Sequence, residues 1–411
     1  MSADYALYEQ ANRSLEDLLG IPVRTTPTGP EVLATTRRFL DHCGAPDRTM
    51  ACVLVGGTSG KGSVAALLAA YLHAAGVRVG LHISPYVQVA TEKISIGGTY
   101  IGAAEFAELT DWVLERLKGL QGFESRRRYG IASLAMAAEA MRRHRVEIGV
   151  FEVGCGGRFD PVNALDAVAV AITTVGMDHL EFLGPTLRDI AWHKAGLIKS
   201  SVPVITAAPE AVLPILQQEA QRHGAHVRVV QADNIALAGG LFEAICGYGP
   251  PIGIESAGKL PARLERMPGV TYLDGAHNPQ KMAYLHRHWS GEEAVIIFGV
   301  LGHKSVRPML KTLSRLGRVL VVTPLDVRAK QPCPVEQICL AARGFEHVVT
   351  ALSVEDALQQ AQHLAQPGQP MLVTGSLYLA GQARGHWYPP EQIIKHRTSW
   401  PPNPYGMPVA G

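Results

Sequence analysis

The sequence predicts an α/β fold: a mostly parallel sheet domain of the phosphate-loop type with helices on both faces, followed by a smaller Rossmann-like α/β domain at the carboxyl end. Two observations predict it. Nearly continuous apolar segments of strand length alternate with helix-forming segments, which is typical of β-α-β units and a parallel sheet. The alternation restarts after residue 264, beyond a Gly- and Pro-rich segment at 247–261 that suits a hinge.

The elements of the first domain follow from this alternation. Buried strands are predicted at 51–55, 77–83, 148–153 and 168–175, where β-branched and other apolar residues run without polar interruption. Helices rich in Ala, Leu and Glu are predicted at 63–75, 104–118 and 131–144. Because strand and helix alternate, the connections are predicted to be crossovers between parallel strands.

The second half of the chain repeats the pattern. Strands are predicted at 270–274, 294–300, 318–323 and 371–375, and helices near 278–289, 305–315 and 354–365. We therefore predict a nucleotide-binding domain at 1–262, a carboxyl-terminal α/β domain at 263–384, and a Pro-rich tail at 385–411 without regular structure. The sequence shows no internal repeat.

Composition excludes several classes of protein. The chain has 411 residues and carries 38 basic against 36 acidic side chains, a net charge of +2. That balance argues against nucleic acid or an anionic membrane as a partner. Six cysteines without a CxxC pair indicate neither a disulfide framework nor a zinc site. The amino terminus has no signal-peptide pattern and no apolar run is long enough to span a membrane, so we expect a cytoplasmic protein. We also expect a monomer.

The sharpest local signal is a glycine-rich turn between a strand and a helix. The turn has the sequence GTSGKGS, made of Gly57, Thr58, Ser59, Gly60, Lys61, Gly62 and Ser63. Backbone N–H groups of such a turn and the helix that follows it bind phosphate, a lysine reaches the terminal phosphates, and a hydroxyl reaches Mg²⁺. The alternative is a turn that holds no ligand. The spacing differs from the common GxxxxGK[ST] pattern.

This variant turn and several later blocks carry a family resemblance. The blocks are HISPYVQVATEKISI (82–96), VFEVGCGGRFDPVNALD (150–166), TTVGMDHLEFLGPTLRDIAWHKAGLIK (173–199), LPARLE (260–265), YLDGAHNP (272–279) and VTGSLYLAG (373–381). In order and spacing the chain resembles the ATP-dependent Mur ligase superfamily, and within it the folylpolyglutamate synthase / dihydrofolate synthase branch. The resemblance covers nearly the whole chain except the tail. It implies folate biosynthesis and one-carbon metabolism.

The resemblance implies a ligase that joins a carboxylate to an amine through an acyl phosphate. ATP and Mg²⁺, two ions in all, are the implied cofactors, and L-glutamate with dihydropteroate or a folate are the implied substrates. Positioning and charge neutralisation dominate such phosphoryl transfer. The implied catalytic residues are Lys61, His179, Lys194 and His277.

The implied metal ligands lie at the ends of predicted strands, where open α/β sheets bind ligands. They are Ser63, Ser84, Glu152 and His179, joined by Lys194 if that lysine is carbamylated as in the family. Taken singly, Glu152 and His179 are equally well explained as strand-end and packing residues, and Lys194 as a solvated helix residue. Their coincidence with family blocks favours the metal site.

The implied nucleotide contacts outside the glycine-rich turn come from three blocks. They are Asn234, Arg263 and Asp274, with His277 near the phosphates. Arg263 lies in PARLE, where Ala262 replaces the usual Gly. An exposed ion pair is the alternative explanation for Arg263.

The acceptor region departs from the family pattern. The implied substrate residues are Tyr86, Glu92, Arg158, Asp160 and Asn163. Tyr86 stands where the family has His, Lys93 where it has Arg, and Gly130 where it has Glu. An amino-acid ligase for a non-folate carboxylate therefore competes with the folate interpretation. A nucleotide-binding protein without catalysis and a small-molecule kinase are the remaining alternatives.

Overall fold

A computed structural model describes residues 2–19, 29–118, 128–289, 291–302, 304–328 and 330–401. The chain forms two compact units. The first contains Met1–Tyr86 and Ala90–Leu260, and the second contains Val87–Val89 and Pro261–Gly411. No helix among the described residues has both the length and the apolar character needed to cross a bilayer.

The first unit is built on one sheet, with eight strands among its described residues. They are β1 (Ala51–Gly56), β2 (Val79–His82), β3 (Ile94–Ile96), β4 (Thr99–Tyr100), β5 (Ile148–Glu152), β6 (Ala167–Ile172), β7 (Pro203–Thr206) and β8 (His226–Val229). Their order is β4-β3-β2-β5-β1-β6-β7-β8. The pairs from β2 to β8 are parallel, and β3 and β4 add an antiparallel edge. The predicted parallel sheet is confirmed.

Helices cover both faces of this sheet. They are α1 (Ala3–Glu16), α2 (Glu31–His42), α3 (Lys61–Ala74), α4 (Ala103–Lys118), α5 (Arg128–Arg143), α6 (Leu180–Leu183), α7 (Leu187–Ala195), α8 (Leu213–His223) and α9 (Asn234–Cys246). Val53 and Val55 of β1 pack with α3 and α9 in one apolar core, while Leu54 between them is equally buried on the other face. Burial of consecutive residues explains why the central strands read as continuous apolar runs.

The second unit has its own sheet. Its described strands are β9 (Glu265–Met267), β10 (Thr271–Leu273), β11 (Val295–Phe298), β12 (Val319–Val322), β13 (His347–Thr350) and β14 (Met371–Thr374). They lie in the order β13-β12-β11-β14-β10-β9, parallel except for β9. The helices are α10 (Pro279–His288), α11 (Val306–Leu313), α12 (Val335–Ala341), α13 (Val354–Leu364), α14 (Leu377–Arg384) and α15 (Pro390–His396). Val295 and Ile297 enter one core, and Ile296 and Phe298 the other.

The expectation of an irregular tail from residue 385 is wrong for 390–396. Helix α15 occupies those positions, and its Ile393 and Ile394 are buried. Pro390 takes the first helical position, where its missing N–H costs nothing, and the adjacent isoleucines supply an apolar face. Residues 402–411 of the predicted tail lie outside the described residues.

The Gly- and Pro-rich segment expected to act as a hinge belongs mostly to the first unit. Its residues Glu255–Gly258 form a short 3₁₀ helix, and a Cβ on Gly258 would lie 2.6 Å from the Cα of Leu67 in α3. The segment therefore packs closely on α3 before the chain enters the second unit after Leu260.

Candidate active site

The glycine-rich turn lies between the end of β1 and the start of α3, as predicted. Gly57 and Gly60 have φ values of 137° and 82°. A Cβ on Gly57 would lie 1.9 Å from Thr173 Oγ1, and a Cβ on Gly60 would lie 2.6 Å from Asn234 Oδ1. Both positions need glycine, because the left-handed backbone and the close neighbours leave no room for a side chain. Asn234, 174 positions further along the chain, thus lies against this turn.

Thr58 and Ser59 are held by the segment that follows β6. The Thr58 N–H donates to the Thr174 carbonyl at 2.7 Å, and its buried hydroxyl donates to the Gly176 carbonyl at 3.1 Å. The Thr173 hydroxyl donates to the Ser59 carbonyl at 2.7 Å. The buried Ser59 Oγ has no hydrogen-bond partner within the described part of the chain. Thr58 therefore fixes the turn, while Ser59 has an unused polar atom for a bound group.

One predicted metal ligand, Glu152, lies beside the turn and is bonded to a second, Ser84. A Cβ on Gly62 would lie 3.2 Å from Glu152 Oε2, and the same oxygen accepts the Ser84 N–H at 2.9 Å. Glu152 ends β5, and Ser84 follows β2. Lys61 and Ser63 occupy the first turn of α3. The carboxyl ends of two neighbouring strands and a helix amino terminus therefore converge here, as expected for an open α/β sheet.

His179 precedes α6 and has a left-handed backbone, with φ of 52°. Its N–H donates to Asp178 Oδ1 at 3.0 Å, and its ring Nε2 lies 3.7 Å from Asp178 Oδ2. Among the described residues, no group of three or more His, Cys, Asp and Glu side chains is arranged to hold a metal. Mg²⁺ usually takes one or two protein carboxylates and completes its shell with phosphate and water. The Glu152 carboxylate beside the turn fits that use.

Lys194 is buried in the last turn of α7, and its Nζ donates to the Gly57 carbonyl at 2.8 Å. Burial, aided by the charge of Lys61, lowers the pKa of Lys194 from 10.5 to about 7. A capping box between Thr186 and Asp189 fixes the start of this helix. Lys194 is thus an amine that is partly neutral near pH 7 and touches the glycine-rich turn.

The GGRFDPVN block has mainly internal contacts. Asp160 is buried, and its carboxylate accepts the N–H groups of Cys155 and Val162 at 3.0 and 3.1 Å. The buried Asn163 side chain donates to the carbonyls of Arg158 and Gly196. These hydrogen bonds hold the loop together, and the acceptor contacts of Asp160 and Asn163 stay a prediction.

Arg158 is also engaged within the first unit. Its guanidinium donates to Glu219 at 2.7 Å and lies 4.1 Å from the ring centroid of Trp192. These contacts tie α7 to α8. The contacts with Glu219 and Trp192 are enough to explain where the Arg158 side chain lies. Its predicted contact with the acceptor is not needed for that explanation.

Around Tyr86 and Glu92 the structure adds residues that the sequence did not indicate. The Tyr86 hydroxyl donates to Glu16 Oε1 of α1 at 2.9 Å, and burial raises the pKa of Tyr86. Glu92 is buried, and the Lys93 ammonium lies 4.3 Å from the ring centroid of Tyr129. The contact of α1 with this region was missed, although the helical spacing of its buried Tyr8, Ala11 and Leu15 is visible in the sequence.

In the second unit, the predicted nucleotide residues surround the end of β10. The Asp274 carboxylate accepts the N–H groups of Leu264 and Ala276, both at 2.8 Å, and burial raises its pKa. His277 Nδ1 donates to the Gly275 carbonyl at 2.8 Å, and the Lys281 ammonium lies 3.1 Å from His277 Nε2. Arg263 is exposed, and its Nη1 donates to the Ala262 carbonyl at 3.0 Å.

Known proteins resemble the chain over most of its length. The family described as Mur ligase middle domain matches residues 55–239, and the family described as Mur ligase, glutamate ligase domain matches residues 262–377. A Bacillus subtilis dihydrofolate synthase/folylpolyglutamate synthase is 26% identical over 86% of this chain and 94% of its own. The structure of Mycobacterium tuberculosis folylpolyglutamate synthase complexed with ADP is similar with a TM-score of 0.83 and 28% identity, covering 93% of this chain and 98% of that one.

Proposed function

Because the chain belongs to the Mur ligase family, in its folylpolyglutamate synthase/dihydrofolate synthase branch, we propose that it adds L-glutamate to dihydropteroate, to folates or to both. The γ-phosphoryl group of ATP passes to the acceptor carboxylate, which gives ADP and an acyl phosphate. The amine of glutamate then attacks the acyl carbon, phosphate leaves, and the amide forms with loss of a proton. The similar mycobacterial folylpolyglutamate synthase is complexed with ADP, which supports ATP as the nucleotide of this proposal.

One observation carries this proposal. The glycine-rich turn is contacted by the buried Lys194 and lies beside the Glu152 carboxylate. A turn that only bridged a strand and a helix would need neither a buried amine nor a carboxylate next to it. Phosphoryl transfer needs cations and oxygen ligands at the phosphate chain, and this arrangement supplies both.

The chain's own groups divide this work. The N–H groups of the turn and the amino end of α3 bind the phosphates, with Lys61 neutralising their charge and Asn234 beside the turn. We assign Glu152, Ser63, Ser84 and His179 to Mg²⁺. The contact of Glu152 with the Ser84 N–H beside the turn supports this assignment. Mg²⁺, when bound, neutralises charge on the transferred phosphoryl group.

Lys194 is proposed to be carbamylated. A neutral lysine amine attacks CO₂ and releases a proton, and the product is an anionic carbamate with two oxygen ligands for a second Mg²⁺. The lowered pKa of Lys194 makes the neutral amine available near pH 7.

We also assign Arg263 and Asp274 to the nucleotide and His277 to the phosphates. A cytoplasmic monomer that binds neither nucleic acid nor membrane stays a prediction.

A non-folate acceptor is the second candidate, and the contacts of Tyr86 favour it. Tyr86 and Lys93 replace two residues of the family's acceptor block, and both are engaged within the unit, with Glu16 and with the Tyr129 ring. These contacts give the acceptor region a different surface. They leave the turn, Glu152 and Lys194 unaltered.

The test is phosphate and ADP release across acceptors and amino acids. We expect release that depends on both glutamate and a pterin acceptor, and loss of at least 100-fold in Lys61→Ala and His179→Ala. Lys311→Ala, at an exposed position of α11, is the control and retains wild-type turnover. Release with other carboxylates but with no pterin would establish the second candidate. Absence of release with every acceptor, with ADP still bound, would indicate a nucleotide-binding protein without catalysis, and a stable phosphorylated product would indicate a kinase.

A further inference from the structure

Arg384, at the end of α14, is a buried charged side chain of the second unit. It is fully buried. Its Nε donates to both oxygens of Glu265 at 2.9 and 3.1 Å, its Nη1 to Gln88 Oε1 at 2.6 Å, and its Nη2 to the Ser399 carbonyl at 2.6 Å. A buried arginine is destabilising unless such partners surround it. An apolar side chain at position 384 would avoid the free-energy cost of removing a charge from water. Stability alone therefore does not explain the Arg384–Glu265 ion pair.

Glu265 connects this arginine to a strained turn. Its Oε2 also accepts the Ala262 N–H at 2.8 Å. Ala262 and Leu264 have φ values of 55° and 49°, left-handed conformations that non-glycine residues rarely adopt. Such backbone persists only where its surroundings hold it.

Two carboxylates hold this turn from its two ends. Glu265 binds the N–H of Ala262, and Asp274 binds the N–H of Leu264 at 2.8 Å. The residue between them is Arg263, whose Nη1 lies 3.2 Å from where a Cβ on Gly275 would be. The turn therefore sets the direction of the Arg263 side chain, toward the loop that follows β10.

We propose that Glu265 is a positioning residue for the nucleotide: Glu265 fixes the turn that presents Arg263, and Arg384 balances the buried charge of Glu265. The inference rests on the proposed function for the role of Arg263 alone. The proposal predicts that nucleotide binding needs a hydrogen-bond acceptor at position 265. It does not need the two charges, because each of them only neutralises the other.

Two double variants separate these contributions. E265Q/R384M removes both charges and keeps an oxygen that accepts the Ala262 N–H, whereas E265M/R384M removes both charges and that acceptor. Calorimetric titration with ADP is the readout, because it needs no turnover. We expect E265Q/R384M to bind ADP within twofold of wild type and E265M/R384M to bind about tenfold more weakly, as does Arg263→Ala. A tenfold loss is about 1.4 kcal/mol, which is within the range of one hydrogen bond.

Stability and a matched pair serve as controls. Replacement of a whole buried ion pair by apolar residues is often neutral for stability, so both double variants should melt at similar temperatures. R37M/D47M removes the ion pair between the partly buried Arg37 and the buried Asp47 of the first unit and should leave ADP affinity unchanged. Equal ADP affinity of the two double variants would overturn the proposal.

A single variant keeps the test decisive if the methionine pair does not fold. Arg384→Lys retains a cation beside Glu265 and should keep ADP affinity within threefold of wild type; a loss as large as that of Arg263→Ala would overturn the proposal. Wild-type affinity in Arg263→Ala, or absence of ADP binding to the wild-type protein, would also overturn it. Normal ADP binding without acceptor-dependent ADP release would refute the ligase and leave this inference standing.

Discussion

Lys194 shows how strongly the fold changes the chemistry of a single residue. In the sequence it is one lysine in a helical segment, for which exposure is the usual outcome. In the structure it is buried and donates to the Gly57 carbonyl, and burial lowers its pKa to about 7. Keeping this amine out of water destabilises the folded chain, and the proposed carbamylation would give the neutral lysine a function.

Lys194→Met should stabilise the protein in a pH-dependent way and abolish turnover. Between about pH 7 and pH 10.5 the unfolded chain binds one more proton than the folded chain, so the wild-type protein gains stability from Lys194 deprotonation as pH rises. The advantage of methionine is therefore largest at pH 6.5, about 2–4 kcal/mol, and shrinks toward pH 10. Urea denaturation in CO₂-depleted buffer measures it, with the exposed Lys311→Met as a control without pH dependence. A constant difference across this range would contradict the lowered pKa.

Ala262→Gly should change the stability of the second unit by less than about 0.5 kcal/mol, because relief of the left-handed φ of 55° offsets the loss of a buried methyl group. Ala34→Gly, at an exposed position inside α2, should instead destabilise by about 1 kcal/mol. Denaturation curves of both variants compare the same chemical change in two backbone conformations. Equal losses would show that position 262 is not strained.

At the scale of elements, the glycine-rich turn is held from several sides. Residues after β6 bind its backbone, α9 places Asn234 against Gly60, and β5 places Glu152 against Gly62. The local pattern predicts strand, turn and helix correctly because that signal is short-range. These neighbours lie 90 or more positions away in the sequence, and no local pattern identifies them.

Gly60→Ala and Gly76→Ala test what this close packing contributes. Both glycines have left-handed φ values, 82° and 84°, so both variants should lose about 1 kcal/mol of stability. A Cβ on Gly60 meets Asn234 Oδ1, whereas one on Gly76 has no neighbour within 4 Å. We expect ADP affinity to fall at least tenfold in Gly60→Ala only. Calorimetric titration with ADP measures the affinity of each variant. Equal ADP affinities of the two variants would contradict the proposed site.

At the scale of the whole molecule, the chain folds as two sheets with separate cores. Each sheet is mainly parallel and covered on both faces, which explains the repeated alternation of apolar and helical segments. The carboxyl-terminal segment completes the second unit. Its Ser399 carbonyl accepts from Arg384, and the Trp400 ring lies 5.0 Å from the same guanidinium.

Ile393→Ala should therefore destabilise the second unit by about 2–4 kcal/mol, since a fully buried isoleucine leaves a cavity when truncated. Lys395→Ala, two residues later and exposed, should change stability by less than about 0.5 kcal/mol. Thermal melts of the two variants measure the difference. Similar melting temperatures would mean that α15 does not contribute to the core.

The sequence by itself determined the α/β class, the parallel strands, the glycine-rich turn and the family, because these depend on local periodicity and on ordered motifs. Only the tertiary structure decided that Lys194 is buried against Gly57, that Asp160 and Asn163 support a loop, that Glu16 bonds to Tyr86, and that Arg384 holds Glu265. Burial and these hydrogen bonds depend on residues that are far apart in the sequence and meet only in the folded chain. The pKa and availability of a side chain follow from those partners, and the residue type alone does not fix them.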